Sequence, residues 1–140
     1  MIPLIRAGAI MPLVHWMQDN ARPVEERLRE VDLCYVLKGD CNLAIPLGPA
    51  IEFLCAAIRA EGPDFACRAV TGASLRALGM IGAVALGADT VRDALFRVAA
   101  SLPLHTTHEI ITVSPASGGL LVREAWGLRM DDETRHVVQQ

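Results

Sequence analysis

The pattern of this chain changes once, at Pro103, and no other feature restricts its fold class as much. Before Pro103, apolar residues recur every three or four positions, the spacing of one face of a helix. After it, Ile110, Ile111, Thr112 and Val113 form a β-branched run, and Ser117-Gly118-Gly119 is a turn signal followed by a second extended stretch. Helices followed by strands, without alternation, favour an α+β fold over a parallel sheet of βαβ units. The expected architecture is a layer of about five helices packed on a small antiparallel β-sheet, in a single domain over residues 1–140.

Within the helical part, Ile10, Val14 and Met17 mark a helix beginning near Pro12, and Val24, Leu28 and Val31 a short one beginning at Pro23. Cys34 to Pro46 lacks a period and reads as a loop. Gly48-Pro49 reads as a helix start, with Leu47, Ile51, Leu54 and Ile58 as its inner stripe and Gly62-Pro63 as its stop. From Ser74 to about Gly87 the sequence is apolar nearly all round, with Arg76 its single charge, so it is expected to be a buried helical spine. Its glycines, Gly79 and Gly82, cost helix propensity, which close approach by a neighbour would offset. Thr90 with Asp93 forms a capping-box variant, and Val91, Leu95, Val98 and Leu102 carry that helix to Pro103. Past the turn, Leu120 to Met130 reads as one long strand pairing with His108 to Ser114. Asp131-Asp132-Glu133-Thr134 then places acids where a helix begins, and His136 to Gln140 continues it. A helix starting so near Gln140 implies that the natural protein continues.

Composition excludes several classes. Apolar residues make up 52% of the 140 and charged ones 21%, so the chain can fill a core, and an aromatic content of 4% makes that core aliphatic. The net charge of −3, with Lys38 the one lysine, gives no basic face for nucleic acid. Met1 to Met11 lacks the basic region of a signal peptide, and Met80 to Leu86, the longest apolar segment, is far short of the ~20 residues that span a bilayer. A cytoplasmic chain with reduced thiols is expected. Cys34, Cys41, Cys55 and Cys67 form no Cys-x-x-Cys, so no metal is expected, and no cofactor motif occurs. Phosphate-loop, esterase and metalloprotease signatures are absent, and no enzyme activity is expected.

The run Leu78-Gly79-Met80-Ile81-Gly82, followed by Ala88-Asp89-Thr90-Val91-Arg92-Asp93-Ala94-Leu95, resembles the N-terminal, arabinose-binding-type effector domain of AraC-family transcriptional regulators. Gly62-Pro63-Asp64-Phe65 upstream and Glu124-Ala125-Trp126 downstream extend the resemblance over nearly the whole chain. It implies a domain that binds a small effector and forms a homodimer. DNA would then be read only by a separate C-terminal pair of helix-turn-helix motifs, which this chain lacks. The resemblance implies no catalytic residues and no fixed effector ligands. A ligand-free dimerisation or interaction module is the alternative.

Two constellations could carry chemistry. His105-Thr106-Thr107-His108 is an H-x-x-H, but on an extended segment residues three apart point to opposite faces, so the two imidazoles should diverge. In Leu120 to Met130 the even positions are apolar except Glu124, which lies two residues from Trp126 and is expected on the core side. An unpaired buried carboxylate is costly, and either an arginine (Arg6, Arg68 or Arg97) or a cationic ligand against the aromatic ring would offset it. An even-residue turn would bring Glu109, Ile111 and Val113 onto the face of Glu124, and an odd one would bring Ile110 and Thr112 instead. The candidate ligand-binding residues are Glu109, Glu124 and Trp126, for a small effector of cationic character.

Overall fold

The computed structural model describes residues 2–138. It is an α+β structure. Strand β1 (Leu4–Arg6) leads through a 3-10 turn into α1 (Met11–Asp19), which has Pro12 in its first turn, and then α2 (Val24–Glu30). Strand β2 (Ala44–Pro46) pairs antiparallel with β1, with Ile5 opposite Ile45. Helix α3 (Leu47–Glu61) follows and stops at Gly62, and α4 (Phe65–Ala69) comes next. Helices α5 (Ser74–Ala77), α6 (Met80–Leu86) and α7 (Val91–Ser101) precede the hairpin of β3 (Glu109–Ala116) and β4 (Gly119–Trp126), and α8 (Asp132–Val138) is last.

Several expectations need correction. The described residues hold eight α-helices rather than five, and two separate two-stranded sheets rather than one. The segment from Cys34 to Pro46 is not wholly a loop. It contains a 3-10 helix (Cys34–Lys38) and β2, whose partner β1 is too short to show a period. The last strand ends at Trp126 and not at Met130, with one further ladder bond from the Gly127 N–H to the His108 carbonyl opposite it at 2.7 Å. Gln139 and Gln140, the end of the expected last helix, lie outside the described residues, as does Met1.

The core sits where α1, α2, α3 and α4 meet. Phe53, Phe65, Ile10, Met17 and Leu28 are fully buried there, and Trp16 meets Phe65 edge-on at 5.0 Å. Glu61, at the end of α3, is buried and accepts from Arg27 Nη2 at 3.2 Å and Arg22 Nε at 3.1 Å, which ties α2 to α3. No polar side-chain atom buried among the described residues lacks a hydrogen-bond partner.

The expected buried spine over residues 75–86 is broken and mostly uncovered. Gly79, at φ +67°, separates α5 from α6, and a Cβ there would meet Asn42 Oδ1 at 2.6 Å. Gly82 is needed for space: a Cβ would lie 1.6 Å from the Leu75 carbonyl oxygen. Only Ile81 and Gly82 of α6 are buried: α5 and α7 pack against parts of it, and its other residues are half-buried or exposed. Helix α7 matches its expected bounds. Thr90 Oγ1 accepts from the Asp93 N–H at 3.1 Å, satisfying one of the free donors of the first turn. No helix among the described residues is long and apolar enough to cross a membrane.

Candidate functional site

The cysteines and the hairpin decide what chemistry is present. All four cysteines are free thiols: Cys55 is buried, Cys34 and Cys41 are half-buried, and Cys67 is exposed rather than in the core. Burial in α3 pushes the Cys55 thiol pKa up, the opposite of what a nucleophile needs. No group of three or more potential metal-ligating side chains occurs among the described residues.

In the hairpin, Ala116 stands opposite Gly119, so the turn is the two-residue Ser117-Gly118 with Gly118 at φ +78°. An even turn fixes the register: Glu109 opposite Trp126, Ile111 opposite Glu124, Val113 opposite Val122. Glu109, Glu124 and Trp126 therefore share one face. That face is not a core face. Glu124 is exposed and Val122 is 47% exposed, because among the described residues no layer packs over the outer hairpin. Nor does any of the expected arginines pair with Glu124. Arg6 donates to the Leu104 and Asn42 carbonyls, Arg68 pairs with Asp64, and Arg97 pairs with Asp93.

Glu124 instead lies near another acid, Glu109, diagonally across the strands on the same face. Partial burial of Glu109, then the neighbouring Glu124 carboxyl, raise the Glu109 pKa from 4.5 to about 7. Glu109 therefore keeps its proton in acid and releases it as pH rises through about 7.

Glu109 and Trp126 also border an apolar cleft of about 260 Å³. Its long wall is α3, which contributes Leu47, Ala50, Ile51, Leu54 and Ile58. The four residues read from the sequence as an inner stripe border this cleft, and of these Leu47 is buried and Leu54 and Ile58 also pack against the core beside Ala50, Phe53 and Ala57. Ile10, Leu13 of α1, Val70, and Val137 and Val138 of α8 add to the apolar lining. The Arg59 Nε donates to Glu133 at 2.9 Å, fastening α8 across α3. A wider hollow, about 490 Å³, opens on the other side of Trp126 between Leu128, Arg129, Met130 and Arg135.

The polar end of the cleft holds two residues that sequence reasoning set aside. His105 and His108 both line it, contrary to the expectation that they diverge, because 105–108 bends instead of running extended. The bend is stitched to β1: the Arg6 N–H donates to the His105 carbonyl at 2.9 Å and the Leu4 N–H to Thr107 Oγ1 at 2.9 Å. Thr106 Oγ1 lies 2.8 Å from His108 Nδ1, and the His108 ring stacks on Trp126 at 5.4 Å. Burial lowers the pKa of both histidines, with Arg6 adding to the effect at His105, so they stay uncharged near neutrality. The signal that could have found them is the pair of Thr hydroxyls between them, which draws the backbone out of extended form by local hydrogen bonds.

The site is therefore an apolar cleft with two imidazoles, the Trp126 indole and the Glu109 carboxyl group at one end. Among the described residues no ion pair reaches Glu109 or Glu124. Comparison with protein-family models gives no match, and comparison with curated proteins gives none.

Proposed function

We propose that this chain is the small-molecule effector-binding and dimerisation domain of an AraC-type transcriptional regulator, cytoplasmic and without catalytic activity. It would control DNA binding by a separate C-terminal helix-turn-helix domain. The observation that carries the reading is the apolar cleft, which has Glu109 and Trp126 at its mouth and Val137 and Val138 of α8 in its wall. Ligand sites are concave, mostly apolar and supplied with a few convergent polar groups. Glu109, which no ion pair among the described residues reaches, favours an effector of cationic character, with Glu124 adding negative charge from the same strand face.

An occupant of the cleft touches α8, so its binding free energy differs between arrangements of α8. That difference is what shifts a conformational population. The order of the motifs supports the family reading as well. Gly62, Gly79, Gly82 and Thr90 sit at helix ends and close contacts, where such residues are required by packing. The test is thermal melting against a panel of amines and other metabolites. A ligand at 100 times its dissociation constant should add ~2.7 kcal/mol of stability by mass action. A panel with no stabilising member would remove the effector reading.

A second reading, a ligand-free dimerisation module, is favoured by a different observation. Val91 is 77% exposed, and Ile110, Leu121, Val122 and Leu86 are exposed with it on the α6, α7 and hairpin part of the chain. Apolar surface of this kind marks contact sites. Sedimentation should give a dimer at tens of micromolar under either reading, and only effector binding separates the two.

A further inference from the structure

Resting on the effector-binding reading above, we infer that the cleft takes a hydrophobic monoamine, its hydrocarbon body along α3 and its ammonium group against the Glu109 carboxyl group beside Trp126. The polar groups of the cleft lie together at the base of the hairpin: Glu109 and His108 are neighbours in sequence, and both meet Trp126. The remaining lining, from Leu13 and Leu54 to Ile58, Val70 and Val137, is aliphatic. A second ammonium along the ligand would meet no second carboxyl group, because Glu109 is the one acid in this lining. The ligand therefore has one head.

The charge of that head follows from what faces it. Glu109 is the acid that lines the cleft, no ion pair among the described residues reaches it, and burial favours the neutral form of His105 and His108. Arg6 is committed to two carbonyls, and Arg129 and Arg135 line the separate hollow beyond Trp126. One ammonium there neutralises the Glu109 carboxylate, and the Trp126 ring adds a favourable cation contact. A carboxylate on the same head would face Glu109 and be repelled, so amino acids are disfavoured. At about 30 Å³ per non-hydrogen atom, the liquid volume of a water, 260 Å³ admits roughly nine such atoms. Octylamine and 2-phenylethylamine are of that size.

The test uses isothermal titration of the described protein at pH 7 with a matched series: octylamine, 1-octanol, octanoate, 1,8-diaminooctane and 2-aminooctanoate. Octylamine should bind about ten-fold or more tighter than each of the others, the worth of a charge-assisted hydrogen bond. Glu109→Gln should reduce octylamine to the level of 1-octanol while leaving 1-octanol unchanged, and the unchanged 1-octanol affinity reports that the cleft is intact. Equal binding of 1-octanol and octylamine, or equal binding of the diamine, the amino acid or octanoate, would overturn the monoamine assignment and leave the effector reading standing. No binding by any of the five, together with an inactive wider panel, would overturn both.

Discussion

Replacing Glu109 with Gln should stabilise the protein above neutral pH and do little in acid. The fold prefers the protonated carboxyl, since its pKa rises from 4.5 to about 7. A group with a raised folded-state pKa contributes stability that is complete below its unfolded value and is lost as pH rises through the folded one. The contribution of Glu109 is thus whole below pH 4.5 and gone above about pH 7. Undiluted, that interval corresponds to roughly 3 kcal/mol at 1.36 kcal/mol per pKa unit. Glu109 is only half-buried, and solvent screening reduces the effect to about 1 kcal/mol. Gln keeps the shape and hydrogen-bonding capacity of the protonated acid without its titration. The assay is urea denaturation of both proteins from pH 4.5 to 8.5, in which contributions of all other groups cancel in the difference. At pH 8 the variant should gain ~1 kcal/mol, roughly 3–5 °C in melting temperature for a domain of this size. A difference that stays flat with pH, or that grows toward acid, would refute the raised pKa of Glu109.

Three further substitutions test the scaffold. Gly82→Ala should cost at least ~2 kcal/mol in denaturant melts, because its Cβ cannot coexist with the Leu75 carbonyl oxygen without separating α5 from α6. Glu61→Ala leaves Arg27, with a side chain only 14% exposed, facing an emptied site, and should cost about 3 kcal/mol. Thr90→Ala removes the cap of α7 and should cost ~1 kcal/mol, read by thermal melting.

The sequence made the fold class and the bounds of α7 legible, because these depend on local signals. Thr90-x-x-Asp93 is a cap wherever it occurs. The shared face of Glu109, Glu124 and Trp126 was legible only as one of two alternatives, because Ser117-Gly118-Gly119 marks a turn without fixing its length, and the two-residue turn decides between them. What was not legible depended on which layers cover which faces. The apolar residues of 75–86 read as a buried spine, yet most of them are half-buried or exposed. Leu47, Ile51, Leu54 and Ile58 read as an inner stripe, and Leu47 is buried while Leu54 and Ile58 pack against the core, yet all four also border the cleft, since α3 is apolar on two faces. Glu124 read as buried because alternation alone cannot say whether anything packs over a strand face. The histidines were hidden for a related reason: a bend held by Thr106, Thr107 and β1 is a tertiary feature, and it alone brings His105 and His108 into one cleft.

The central claim, that the cleft between α3, α8 and the base of the hairpin is the effector site, is tested most directly by an NMR titration with octylamine. The chain has two tryptophans, so the indole N–H region holds two signals: Trp126 at the cleft and Trp16 in the core against Phe65. The account predicts saturable shifts of the Trp126 indole and of the Ile51, Leu54, Ile58 and Val137 methyls, with Trp16 unmoved. Saturation that moves Trp16 and leaves Trp126 and the α3 methyls in place would contradict it.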